Sequence, residues 1–141
     1  MNILIDSWGW IALADQRDTY HKEVVVTYQN SILATKNTLI TTDYIVAETL
    51  TALRSCIGHE KSVQWLSMIQ DEVLRGTLGL IHINQKLWTE STELLRKYSD
   101  KPDISFTDFT SFVVMKELKI SHVFTGDRHF EQVNMGFQLI K

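Results

Sequence analysis

The chain has 141 residues, of which 44% are hydrophobic and 22% charged, and a single cysteine, Cys56. That is enough apolar material for one domain spanning 1–141 with its own core; the lone cysteine excludes an internal disulfide and fits a reducing, cytoplasmic compartment. A net charge of −3 excludes a general nucleic-acid coating protein, which needs a basic surface, but not an enzyme whose bound cations reverse the charge locally.

The chain opens on a short strand, Ile3-Leu4-Ile5, that ends at Asp6. No basic leader or long apolar stretch accompanies it, so no signal peptide and no membrane anchor are expected. Tyr20, Val24, Tyr28 and Ile32 recur every fourth residue and predict a helix. Leu39-Ile40 predicts a second strand ending near Thr41. Thr42 or Asp43 then caps a helix with the stripe Val46, Leu50, Leu53 and Ile57, and Glu48 falls in its second turn beside that apolar face. Cys56 near its end is expected as a buried small apolar group. Val63, Leu66, Ile69 and Val73 mark another helix, with its stripe toward the core. Leu80-Ile81-His82-Ile83 predicts a third strand, and Leu87, Leu94, Leu95 and Tyr98 a helix after it.

Pro102, the only proline, and Asp103 mark a loop. Ser105 or Thr107 then caps a helix carrying Phe109, Phe112 and Val113 and running to about Leu118, with Asp108 in its first turn. A fourth strand, His122-Val123-Phe124, is followed by Gly126, which lets the backbone turn sharply, and by Asp127. Phe137-Gln138-Leu139-Ile140 predicts the last strand. Strands alternating with helices need crossover connections. The expected class is α/β, a three-layer α/β/α sandwich around a mostly parallel sheet, with ligands beyond the carboxyl ends of the strands.

Each of four acids has an ordinary explanation alone. Asp6 and Asp127 suit a cap or a turn, Glu48 a solvated helix face, and Asp108 the positive end of a helix dipole. Together they carry more. All four fall at strand ends or helix starts that should share one edge of the sheet. Like charges so gathered repel strongly unless some are protonated or a cation binds. Oxygen-only donors favour hard ions such as Mg²⁺ or Mn²⁺, which activate water and stabilise charge on the oxygens of a phosphodiester.

The segments Ile3-Leu4-Ile5-Asp6-Ser7, Thr41-Thr42-Asp43-Tyr44-Ile45-Val46-Ala47-Glu48-Thr49-Leu50, Ser105-Phe106-Thr107-Asp108 and Phe124-Thr125-Gly126-Asp127-Arg128-His129-Phe130 resemble, in order and spacing, those of the PIN-domain family, and most closely its single-domain bacterial VapC-like toxins. The resemblance covers essentially the whole chain. It implies a Rossmann-like sheet, Mg²⁺- or Mn²⁺-dependent cleavage of RNA, a homodimer, and a small antitoxin protein that binds over the site. By position it makes Asp6, Glu48, Asp108 and Asp127 the metal-binding catalytic acids. Ser7 and Thr125 become hydroxyls that orient water or carboxylate, and Asp103 a possible fifth acid.

Two other readings compete. A phosphatase or receiver domain also uses an Asp after its first strand, but a phosphatase wants a second Asp two residues on, where Trp8 stands, and no acidic pair accompanies Asp6. A non-catalytic PIN-like module that binds RNA or protein would be favoured by loss of an acid, and all four are present. The five histidines are scattered without metal-ligand spacing and read as structural, with His129 and Arg128 as possible RNA contacts. Arg96, Lys97 and Lys101 suit the end of a helix or a basic rim for RNA. Trp8 and Trp10 suit packing, or a base-stacking role beside Asp6.

Overall fold

The computed structural model describes residues 1–33 and 36–141. Among them five strands make one sheet: β1 (Asn2–Ile5), β2 (Thr38–Thr42), β3 (Leu78–Ile81), β4 (His122–Phe124) and β5 (Gln138–Ile140). The order is β3-β2-β1-β4-β5, and every neighbouring pair is parallel. Parallel neighbours cannot be joined by tight turns. The crossovers are supplied by α1 (Ser7–Ala14), α2 (His21–Thr27), α3 (Asp43–Cys56), α4 (His59–Leu74), α5 (Gln85–Lys97) and α6 (Phe106–Glu117), with a short α7 (His129–Gln132) before β5. The result is the three-layer α/β/α arrangement expected from the alternation.

The central strand is the most apolar because both its faces are covered. Ile3, Leu4 and Ile5 are fully buried, with Phe109, Phe112, Phe124 and Phe130 in the same core. The chain builds outward from β1 on one side through β2 and β3, then returns to the other side as β4 and β5. The direction of winding therefore reverses between β1 and β4. In open parallel sheets a crevice forms beyond the carboxyl ends of such a strand pair. Asp6 follows β1 there, and Asp127 lies three residues past β4.

Several local expectations are corrected. The third strand is Leu78–Ile81, two residues earlier than expected. Past Ile81 the chain is taken by Asp43, whose Oδ1 accepts the Ile83 N–H at 3.0 Å while His82 Nδ1 stands 3.4 Å from Oδ2. Side-chain bonds thus replace ladder bonds at His82 and Ile83. On α4 the expected stripe holds at Leu66, Ile69 and Val73, which pack against the core together with Trp65, while Val63 is 45% exposed. Cys56 is exposed, not buried. Helix α1 carries no recognisable apolar stripe, since Gly9 and Ser7 share its buried side with Trp10 and Ala12. Helix α2 passes into a π-helical turn at Tyr28–Leu33. A strict repeat of four outruns the 3.6-residue period, and the widened turn keeps Ile32 as buried as Val24. No helix among the described residues is long and apolar enough to cross a membrane.

Candidate metal centre

Asp6 occupies the N-cap position of α1, but its side chain makes no capping bond. Oδ2 accepts the Thr125 hydroxyl at 3.0 Å. Oδ1 is buried without a hydrogen-bond partner, which among the described residues is shared only by Ser111 Oγ. The residue is 1% exposed. Burial above all, and then the charge of Asp108, pushes its carboxyl from 3.8 up to about 7. The bonds from Thr125 and the Ser7 backbone oppose this, and Glu48 adds a further rise.

Close approach of backbone and ring holds this acid against β4. A Cβ on Gly9 would stand 2.6 Å from Phe124 Cδ1 and 2.7 Å from its carbonyl oxygen, so only glycine lets α1 lie on the strand. The Asp6 N–H donates to that same carbonyl at 3.3 Å. Gly126 works in the same way. It has no left-handed φ, contrary to the sharp turn expected of it. Its hydrogen atoms instead make room for Trp8, whose Cζ2 would lie 2.4 Å from a Cβ there. Trp8 is half-buried and meets Tyr20 with ring centroids 5.3 Å apart. Trp10 points into the core, where Nε1 donates to Thr41 Oγ1 at 3.3 Å.

The Thr125 hydroxyl, besides donating to Asp6, accepts the Asp127 N–H at 3.0 Å. One buried side chain thereby ties together the acids that follow the two central strands. Glu48 arrives from α3, whose start is fixed by Thr42 accepting the Ile45 N–H at 3.1 Å. Glu48 is half-buried, and its Oε1 accepts the Ser7 hydroxyl at 2.5 Å. Asp108 sits in the first turn of α6 within a capping box. Its N–H donates to Ser105 Oγ at 3.1 Å, and its own carboxylate accepts the Ser105 N–H. Eight of the twelve residues of α6 are buried, Asp108 among them, so packing fixes this acid on all sides. Its carboxyl is raised by desolvation, lowered by His129 and raised again by Asp127 and Glu48.

The structure thus brings Asp6, Glu48, Asp108 and Asp127 together with Ser7 and Thr125. Asp103 stays outside, exposed on the turn before α6 and joined to none of the four by a hydrogen bond or an ion pair among the described residues. One residue is more central than its sequence position suggests. His129 Nδ1 lies 3.0 Å from Asp108 Oδ2 and 3.2 Å from Asp127 Oδ1, and its N–H donates to the same Asp127 oxygen at 3.0 Å. The signal was the Asp-x-His spacing directly after a strand end.

These donors fit a hard divalent ion. A buried carboxylate oxygen lacking any partner is costly unless it binds a cation or is protonated. Asp6 Oδ1 is such an atom, and three of the four acids are coupled to it by charge or by the Thr125 hydroxyl. Asp108, Asp127 and His129 add ligand atoms that all lie within 4.8 Å of one another.

The chain is similar to several proteins of known name. The 23S rRNA-specific endonuclease VapC20 of Mycobacterium tuberculosis is 27% identical over 129 residues, 91% of each chain. Its crystal structure, described as that of a sarcin-ricin loop cleaving toxin, superposes with a TM-score of 0.83 at 24% identity over 96% of both chains. A VapC ribonuclease of Archaeoglobus fulgidus is 24% identical over 96% of this chain and 83% of its own length. The structure of VapBC-1 from nontypeable Haemophilus influenzae matches with a TM-score of 0.65 at 16% identity, over 99% of this chain and 96% of that one. The sequence pattern of the PIN domain matches residues 3–135. With the acids gathered where the winding of the sheet reverses, and the match running through all of them, the chain belongs to the PIN-domain family.

Proposed function

We propose that the chain is an endoribonuclease in which Asp6, Glu48, Asp108 and Asp127 hold Mg²⁺ or Mn²⁺. The observation that carries this reading is Asp6, whose partnerless oxygen lies in the field of two further carboxylates. When bound, the ion lowers the pKa of a coordinated water and stabilises charge on the phosphodiester oxygens. The protein's part is to keep the donors aimed before substrate arrives. Thr125 holds one Asp6 oxygen and leaves the other free. Ser7 orients Glu48, and the capping box orients Asp108. The carboxylates need not attack the phosphorus. The net negative charge of the chain is no obstacle, since the ion reverses the sign where the phosphate binds.

The domain spans 1–141 and works in the cytoplasm on RNA, as a homodimer kept silent by a small antitoxin protein. The VapC relatives support the ribonuclease reading, and the resemblance to VapC-like toxins supports the partner. The name of the mycobacterial relative makes 23S rRNA the first substrate to try. The test is cleavage of total RNA with Mg²⁺ or Mn²⁺, mapped by sequencing of RNA ends. Defined new ends are expected from the wild type and none with EDTA or from Asp6→Asn. Equal behaviour of wild type and Asp6→Asn would instead establish a non-catalytic binding module.

A further inference from the structure

The acids explain an oxygen-only site, yet one of the atoms facing them is a nitrogen. His129 Nδ1 is poised between Asp108 Oδ2 and Asp127 Oδ1 at 3.0 and 3.2 Å. Around a six-coordinate ion with bonds of ~2.1 Å, adjacent donor atoms stand ~3.0 Å apart. His129 Nδ1 already stands at that spacing from each carboxylate oxygen, and all three atoms lie within 4.8 Å of one another. Asp108 is held by its capping box and by α6, and the His129 backbone N–H is anchored on Asp127, so the three are kept close before an ion arrives. The His129 side chain is 23% exposed, which leaves solvent and substrate access from outside. Asp6 stands outside this close group of three, but its buried Oδ1 has no hydrogen-bond partner and its carboxyl feels the charge of Asp108, a second sign that the acids call for a cation.

We propose that His129 Nδ1 is a direct ligand of the ion shared by Asp108 and Asp127, so that the centre is mixed nitrogen and oxygen and selects Mn²⁺ over Mg²⁺. An imidazole nitrogen gains more with a transition metal than with Mg²⁺, which prefers carboxylate and water. This rests on the metal-dependent reading above and adds a donor to it. The competing role for His129 is to orient Asp108 by a hydrogen bond without touching the ion. A loss of affinity does not separate the two, because outer partners of metal ligands also matter 10–100-fold. The nature of the donor atom does separate them.

The measurement is pulsed EPR of the full chain titrated with Mn²⁺, together with calorimetric affinities for Mn²⁺ and Mg²⁺. Wild type is expected to show modulation from a directly bound ¹⁴N, and His129→Asn to lose it while keeping a folded circular-dichroism melt. The Mn²⁺ to Mg²⁺ affinity ratio should fall about tenfold in His129→Asn. His129→Gln serves as a second variant in case the first does not fold. Tight Mn²⁺ binding with no ¹⁴N coupling, or an unchanged ratio, overturns the ligand role and leaves the carboxylate site standing. Absence of any Mn²⁺ binding by the wild type overturns both.

Discussion

Asp6 and Asp127 follow adjacent parallel strands and share one hydroxyl, Thr125, yet they live in different media. Asp6 is sealed from solvent, keeps one oxygen without a partner and is pushed up to about 7. Asp127 is 29% exposed on its side chain and has both an imidazole and a backbone N–H against its carboxylate. The outer acid carries its own counter-group, and the inner one has none. The inner half of the site is therefore destabilised as built, and the proposed ion would relieve it. The outer acid is already hydrogen-bonded, and its proposed part is to share the ion with Asp108.

The largest expected effect falls on the inner half. Asp108→Asn or Asp6→Asn should lower RNA cleavage by about a thousandfold, roughly 4 kcal/mol of transition-state stabilisation, measured as single-turnover rates at saturating Mn²⁺. The same Asp6→Asn change should stabilise the metal-free protein. A carboxyl raised in the folded state stays protonated while its unfolded counterpart ionises, so stability in EDTA falls as pH rises from about 4 to about 7 and then levels. Urea unfolding should show the variant gaining about 4 kcal/mol over wild type at pH 8, and little at pH 4. An equal difference at both pH values would mean that Asp6 is ordinary.

Gly126→Ala comes next, since its Cβ meets the Trp8 ring at 2.4 Å. It should cost about 1–3 kcal/mol in urea melts, with much of the loss recovered when Trp8→Leu is added. Thr125→Val removes the donor to the Asp6 carboxylate and the acceptor of the Asp127 backbone N–H, and should weaken Mn²⁺ binding by roughly 10-fold or more in calorimetry, a smaller change in free energy than the acid substitutions. The smallest effect belongs to Asp103→Asn. Its exposed position should leave stability within about 0.5 kcal/mol and cleavage unchanged. A large loss there would mean that the site extends beyond the acids that the fold gathers.

The sheet was legible because a parallel strand buried on both faces is written as an uninterrupted apolar run, as in Ile3-Leu4-Ile5. The acids were legible as positions, since Asp6 directly follows a strand, Asp127 lies three residues past one, and Asp108 and Glu48 stand in the first and second turns of their helices. What could not be read was what each side chain would bind. Asp6 has the sequence context of a cap but bonds to a residue 119 positions away. Gly126 looked like a turn residue, and its reason is the ring of Trp8, which no local pattern encodes. His129 stood out only as a neighbour of Asp127 and an RNA contact, because its other partner, Asp108, comes from a different element. The third strand was misplaced because Asp43, forty residues earlier, takes the Ile83 N–H from the ladder.

The place of β1 in the sheet has a consequence for how the molecule comes into being. The first strand of the chain is central, and its neighbour β4, from late in the sequence, pairs Ile3 with His122. Growing chains and proteolytic fragments that end before β4 hold Asp6, Glu48 and Asp108 but lack Asp127 and His129. Such non-local closure is slow relative to helix formation. The proposed metal centre is therefore complete only once β4 has paired with β1, and a chain that stops short of that strand lacks the outer acid.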